Sequence, residues 1–541
     1  MFNKKIMFRT FSILSFAIII YFSLSSIFAG TGKEYYVSKT GDDDNSGNKD
    51  NPFETIQQGM DSLEAGDTLN IKEGIYNEKL EIQKSGEENN YITIKNYNDE
   101  KVIVDGSSKS GDTLVEIYNK SYIRIEGLEL CNSNSGDTPA GIFIEGSGNG
   151  IQIVNNKIYN IKSNNNAHGI AVYGDNGNKS INNLILDKNE VYNCELGQSE
   201  SIVINGNVEN FEITNNIVHD NDNIGIDCIG FENTASSNDQ ARDGLVKGNY
   251  VYNISSINNP TYSDACAGGI YVDGGKDIVI ENNRTKNCDI GIEVASEHKN
   301  KITENIIVRN NIVEDCGLYG ISIGGAGSSN GYADNCIIIN NTLFNNDVGI
   351  NISKTKTNIL KNNIVYGNTL LEGSVDSNEF SYNLGYSKKD NNSDFDMNKD
   401  PLFTDQDNGN FSLKDNSPAI DSGNRDDIES IGVNDYLGNE RVVNSIVDLG
   451  AIEYGSEKRT DGEEKSESMI PSPESTDEVV VTKENEEEYK EDEEKYNEKD
   501  EEENNDEEEY KKEDEEKHKE EDSENKNSFF ERILRFFKRF F

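Results

Sequence analysis

Short runs in the middle of the chain alternate apolar and polar residues and are broken by paired asparagines. Ile151–Tyr159 reads IQIVNNKIY, Phe211–His219 reads FEITNNIVH and Ile278–Arg284 reads IVIENNR. Ile306–Val313, Cys336–Phe344 and Ile359–Tyr366 repeat the theme. Period-two alternation marks strands with one face turned inward. From Asn282 onward the pairs recur at roughly 20 to 30 residues, the period of a solenoid. Ile and Val suit a pleated interior. Asparagine suits the bends, because it tolerates left-handed backbone, and stacked asparagines can bond along an axis as a ladder. The expected fold is all-β, a right-handed parallel β-helix. A β-sandwich would instead show Asn-Gly or Asp-Gly hairpins without the Asn-Asn pairs.

The ends of the chain break the pattern. Lys4, Lys5 and Arg9, an apolar run from about Ile13 to Phe22, and the small residues Ser25, Ser26 and Ala29 read as a secretory signal over residues 1–29. The solenoid is expected over 30–385. It opens with a strand at Tyr35-Tyr36-Val37-Ser38, a polar loop from Gly41 to Gly47 and a short helix from about Thr55 to Leu63. Such a helix would cover the open end of the coil stack, which otherwise exposes apolar surface and strand edges. A closing module follows at 386–456. Residues 457–527 are dominated by Glu, Lys and Asp and cannot build a core, so a disordered acidic linker is expected. In 528–541, Phe530, Ile533, Leu534, Phe537 and Phe541 share one helical face, and Arg532, Arg535, Lys538 and Arg539 supply positive charge. This is the pattern of an amphipathic helix lying on a membrane surface.

Charge narrows the partners. The formal net charge is −49, and roughly −34 of it falls on residues 30–456. Nucleic acid is excluded, since its binding rests on neutralising phosphates. An acidic glycan would need bridging cations. The seven cysteines (Cys131, Cys194, Cys228, Cys266, Cys288, Cys316 and Cys336) form no tight pair, so neither a disulfide framework nor a zinc site is read. Most are expected as small stacked core residues.

The stretch from Tyr36-Val37-Ser38 through Asp42, Gly47, Pro52-Phe53 and Thr55-Ile56 to Gly66-Asp67-Thr68 resembles the start of many secreted pectate-lyase-like β-helix proteins, the family nine polysaccharide lyases among them. Gly225-Ile226-Asp227, Ala241-Arg242-Asp243-Gly244, Gly269 to Gly275, Gly291 to His298 and Gly324-Gly325 resemble a recurring bacterial β-helix type. Ser417 to Gly423, with Asp448 to Glu453, is similar to the choice-of-anchor Q module of surface proteins. The resemblance covers about 33–454. It implies a secreted, monomeric protein at the cell surface that acts on an extracellular polysaccharide. Family nine lyases use calcium, an Asp cluster and a Lys base. Here the Asp pattern is incomplete, and Ile270-Tyr271-Val272-Asp273 offers Tyr and Asp instead of Lys.

The chemistry-bearing residues concentrate between His219 and His298. Asp220, Asp222 and Asp227 are close in sequence and are candidate oxygen ligands for calcium. Asp227 stands inside a strand-like run, where a turn residue is not expected. Arg242, Asp273, Glu297 and His298 are the candidate catalytic residues, drawn from successive coils. Tyr262, Tyr271 and Glu293 are candidate substrate contacts. The insertion Glu232–Ala241 and the loop Ser255–Ala267 would wall a groove. A uronate lyase needs a cation for the substrate carboxylate, a base for the C5 proton and an acid for the leaving oxygen. Arg242 or His298 is the candidate base, and His298 or Tyr271 the acid. Glycoside hydrolysis by a pair among Asp273, Glu293 and Glu297 is the alternative chemistry, and a non-catalytic adhesin is the third reading. Asp42, Asp44 and Ser46, and Asp394, Asp396, Asn398 and Asp400, have alternate spacing that suits an ion but read better as polar turns.

Overall fold

The computed structural model describes residues 32–456, apart from 109–112, 135, 137, 326–329, 390, 391, 393, 427 and 444. The expected signal at 1–29, the acidic stretch 457–527 and the terminal helix 528–541 lie outside the described residues.

Among the described residues, three parallel sheets of 16, 12 and 11 strands, here the first, second and third, wind around one interior as a right-handed β-helix. One coil shows the path. Ile151–Val154 lies in the first sheet, Lys157–Tyr159 in the second and His168–Gly174 in the third, and Ile181–Asp187 returns to the first. Each coil therefore sends its residues to three different faces.

Register makes the core. Ile94, Ile125, Ile153, Leu186, Ile213, Val246, Ile280, Val308, Ile338 and Leu360 stand opposite one another in the first sheet. All ten are buried. No single coil can enclose its apolar face, so each is stabilised by the coils on either side.

The asparagine pairs divide their labour. The first member turns the corner between the first and second sheets with positive φ, as at Asn155 (56°), Asn215 (54°) and Asn282 (57°). That conformation costs most side chains about 1–2 kcal/mol, whereas Asn adopts it routinely. The second member points inward. Asn156, Asn189, Asn216, Asn249, Asn283, Asn311, Asn341, Asn363 and Asn383 form a buried ladder, each amide nitrogen donating to the next side-chain oxygen at 2.9–3.1 Å. The same oxygens also accept a backbone N–H from the preceding coil, and the amide nitrogens donate to a carbonyl there, as Asn249 does to Ile213 at 2.8 Å. The ladder expected from the sequence is thus present, and it leaves the corner's inward polar groups bonded.

The N-terminal helix spans Ile56–Asp61, capped by the Thr55 hydroxyl, which accepts from the Gln58 N–H at 3.3 Å. Ile56, Gly59 and Met60 are buried. A Cβ at Gly59 would lie 2.6 Å from a Leu69 methyl, so glycine lets the helix sit close over the first coil. At the other end Phe395 joins the main core and meets Phe380 edge to face at 5.2 Å. The antiparallel pair Phe403–Asp405 and Asn410–Leu413 then covers Phe344, Tyr366 and Ile364 of the second sheet. Corner asparagines fasten this region: Asn310 donates to Ile431 O at 3.0 Å, Asn340 to Asp448 O at 2.9 Å and Asn362 to Asn424 O at 2.7 Å. The fully buried Arg441 guanidinium donates to Asp448 O and Gly450 O at 3.0 and 2.7 Å.

Six of the seven cysteines are buried and all are free; Cys266 is exposed. In the two loops with alternate acidic spacing the side chains act locally. Asp42 accepts the Asp44 N–H at 3.0 Å, and Asp400 accepts the Leu402 N–H at 2.9 Å.

Candidate functional site

The outer face of the third sheet carries the unusual residues. In Ile226–Ile229, Gly268–Asp273 and Ile290–Ala295, the apolar members Ile226, Cys228, Ile270, Val272, Ile292 and Val294 point inward. The residues between them point out, and register lines up Val203, Asp227, Tyr271 and Glu293 across four adjacent strands. Outward positions on a solenoid are usually solvated, yet Asp227 is only 2% exposed and Tyr271 only 5%.

Two loops account for this. Residues 231–241 fold back over the preceding coils: Asn205 donates to Glu232 Oε2 at 2.9 Å, Thr234 to Asn205 Oδ1 at 2.6 Å and Ser237 to Gly177 O at 2.6 Å. Residues 255–267 do the same on the opposite side. Asn259 donates to Gly197 O at 2.8 Å and Thr261 to Asn164 O at 3.2 Å. The two loops stand as walls, and the acidic row forms the floor between them.

The carboxylates of Glu200, Asp227, Glu232, Asp273, Glu293 and Glu297 converge here. One ligand atom each of Glu232, Asp273 and His298 lies within 4.8 Å of the others. Asp273 Oδ1 accepts the Glu297 N–H at 2.7 Å. Asp227 Oδ1 and His298 Nε2 are among the buried atoms that find no partner in the described residues. His168, at the start of a third-sheet strand, lies 3.6 Å from Glu200 Oε2.

Electrostatics follow from crowding. Burial, then the Glu200 carboxylate, pushes Asp227 well above the usual carboxylate range. Burial and then Glu297 do the same to Asp273, and burial and then Glu232 to Glu200. Burial, with Glu297 beside it, raises Glu293 to about 8. Glu297 reaches the surface at the rim, yet the surrounding protein and then Glu232 raise it as well. Burial drops His168 to about 4. No lysine or arginine is among the causes of any of these carboxyl shifts.

A cluster of carboxylates with an orphaned oxygen and no positive partner fits a divalent cation. Glu232 and Asp273, whose ligand atoms lie within 4.8 Å of one another and of His298, are placed to hold one, with the unbonded Asp227 Oδ1 in the same cluster. Without a cation, stability should fall as pH rises. The folded carboxyls keep their protons above the unfolded values near 4, so their contribution is complete below those values. It is lost as pH rises through the folded ones, up to about 8 at Glu293. His168, neutral in the fold above about 4, works the other way and adds stability as pH rises to its unfolded value near 6.5, with little further change beyond it. The melting temperature of cation-free protein is expected to be lower at pH 8.5 than at 6.5, and a rise would refute the assignment.

The structure distributes the sequence-expected residues unevenly. It brings together Asp227, Tyr271, Asp273, Glu293, Glu297 and His298, with Tyr262 on the 255–267 wall. It does not bring Arg242, Asp220 or Asp222. Arg242 opens a strand of the first sheet, where its guanidinium donates to Glu209 Oε2 at 2.6 Å and Asn207 Oδ1 at 3.0 Å. That role is to anchor the end of the 231–241 loop. Asp220 ends a second-sheet strand and accepts from Asn253 at 2.9 Å, with His219 Nδ1 at 2.6 Å. Asp222 accepts the Leu196 N–H at 2.6 Å. Sequence reasoning missed Glu200, Glu232 and His168. Glu232 was legible only as the start of an insertion, and Glu200 as an acid just before the strand Ile202–Gly206.

The fold and this site define a pectate-lyase-like β-helix protein. A family model of the right-handed β-helix region matches residues 140–330 and 245–417, and one of the Pel9A-like right-handed β-helix region matches 35–198. The chain belongs to the right-handed β-helix family. It is 37% identical over 438 residues to the uncharacterized protein YwoF of Bacillus subtilis, covering 72% of this chain and 92% of that one. It is 26% identical over 201 residues to a pectate lyase of Emericella nidulans, covering 32% of this chain and 46% of that enzyme. Among solved structures, a lacto-N-biosidase from Eubacterium ramulus superposes with a TM-score of 0.52 at 14% identity over 68% of each chain, a likeness of fold alone.

Proposed function

We propose that this protein is an exported polysaccharide lyase that cleaves a uronic-acid-containing glycan with the help of calcium and is retained at the cell surface by its C-terminal helix. The observation that carries the reading is the walled carboxylate cluster with His298 Nε2 and Asp227 Oδ1 left unbonded. The partial match to a pectate lyase supports it.

In this reading Glu232, Asp273 and Asp227 would hold the cation, which when bound would supply charge to neutralise a uronate carboxylate and so acidify the C5 proton. His298 Nε2, free of other bonds, accepts that proton. The C5 electron pair forms the C4=C5 bond as the C4–O bond breaks, and the Tyr271 phenol delivers a proton to the departing oxygen. Burial keeps that phenol protonated.

Hydrolysis is the second reading, and a specific observation favours it. Glu293, raised to about 8, stays protonated at neutral pH, as a general acid on a glycosidic oxygen must. Ultraviolet absorbance of the unsaturated product separates the two. Purified protein is expected to generate it on a uronate polysaccharide with calcium and to stop when a chelator is added. New reducing ends without that absorbance would establish hydrolysis instead. Binding without either would leave a surface adhesin.

A further inference from the structure

We propose that Lys299, Lys354 and Lys356, with Tyr332, form a subsite that binds the carboxylate of a uronate residue flanking the acidic cluster. The inference rests on the reading that the cluster is the working site for an acidic glycan, and it supplies the recognition element that reading lacks.

The position follows from the coil register. Asp273 stands opposite Ala295, and Val294 opposite Ile323, which in turn stands opposite Ile352. The segments leaving these strands, 296–301 and 353–356, therefore lie at one corner, two coils apart. At about 4.8 Å per coil the offset along the axis is about 10 Å. Lys299 directly follows His298. The segment carrying Tyr332 is pressed against that turn, because a Cβ on Gly331 would fall 2.7 Å from His298 O and 2.1 Å from Lys301 O. Together these residues line an open depression of about 310 Å³, with Asn300 and Asn330 completing it.

Its charge is out of keeping with the rest of the body. Its lining holds three lysines and no carboxylate, whereas other lysines stand against acidic partners, as Lys276 with Glu304 at 2.9 Å and Lys247 with Glu281 at 3.0 Å. Among the described residues, Lys299, Lys354 and Lys356 make no ion pair. Lys354 Nζ donates to Asn330 O at 2.9 Å, and Lys356 Nζ sits 3.7 Å over the Tyr332 ring. Both ammonium groups retain donors for an anion, and the ring fixes one of them in place. A polyanionic chain is repelled by the acidic body, so a depression lined by three lysines, the first of them next to His298 and the other two about 10 Å along the axis, marks where such a chain makes contact.

The test measures binding of trigalacturonate and of neutral cellotriose to the full chain by calorimetry, at 50 and 300 mM salt with calcium present. Wild type is expected to bind the acidic probe and to weaken at high salt. K354Q/K356Q should lose at least tenfold affinity for it, and K354R/K356R should restore most of that. Cellotriose binding should not differ between variants. Circular dichroism melting checks that the exposed substitutions leave the fold intact. Equal affinity of wild type and K354Q/K356Q, or no binding of the acidic probe by wild type, overturns the subsite. Lysine-dependent binding without turnover would keep the subsite and sink the lyase reading; turnover indifferent to the lysines would do the reverse.

Discussion

Asp273→Asn is expected to lower turnover by about 10³-fold, within the range for removing a charged group from a preorganised site. Asparagine keeps the shape and can still accept the Glu297 N–H that Asp273 Oδ1 now takes at 2.7 Å. Only the charge is removed, so the 231–241 and 255–267 walls should stand and the melting curve should move little. The same variant should weaken calcium binding, read by calorimetry, because the ligand atoms of Asp273, Glu232 and His298 lie within 4.8 Å of one another. His298→Ala should also abolish turnover but leave calcium binding nearly intact, if its bare Nε2 moves a proton and does not hold the cation. Turnover within twofold of wild type in both variants would remove this cluster from the chemistry. Loss of calcium binding in His298→Ala would reassign the imidazole as a ligand.

Asn249→Ala is expected to be among the most destabilising single changes available. Its side-chain oxygen accepts from both the backbone and the side-chain nitrogen of Asn216, at 2.9 and 3.0 Å. Its nitrogen donates to Asn283 and to Ile213 O, at 2.9 and 2.8 Å. Alanine removes all four bonds and leaves the buried Asn216 N–H without its acceptor, while Asn216 Nδ2 keeps Leu186 O at 2.8 Å and Asn283 Oδ1 keeps the backbone N–H of residue 249 at 2.9 Å. At about 1–3 kcal/mol for the unsatisfied group, with the other bonds lost besides, the loss should be several kcal/mol, visible as a lower urea midpoint. Asn215, one coil earlier on the outer side of the same corner, provides the contrast. It is exposed with φ of 54°, so Asn215→Gly should change stability by well under 1 kcal/mol. Equal effects at the two positions would mean that the ladder is incidental to the fold.

Local chemistry explains why so much of the architecture was readable. Alternation reports which side of a strand faces the core, and an Asn pair reports both a left-handed corner and an inward amide. These are properties of a few adjacent residues, repeated in Ile151–Tyr159, Phe211–His219 and Ile278–Arg284. The oddity of Asp227 was legible for the same reason, since a carboxylate between Ile226 and Cys228 breaks a strand pattern. The N-terminal helix was legible too, because Thr55 and the buried spacing Ile56, Gly59 and Met60 declare a cap and a face.

Which distant residues meet is a different kind of information. Asp220, Asp222 and Asp227 are neighbours in sequence, yet between them the chain turns the corner from the second sheet to the third, so the three point to different surroundings. Arg242 is closer in sequence to Asp227 than Asp273 is, but it opens a strand of another sheet and is spent on Glu209. Glu200 and Glu232 join Asp273 only because coil length and loop folding return them to one face. The sequence by itself determined the repeat, the inward and outward positions and the capping of the first coil, because those depend on short-range stereochemistry and on burial of alternate side chains. The membership of the acidic cluster, its burial under two loops and the lysines two coils along were decided only by the tertiary structure, because they depend on the register accumulated over whole coils.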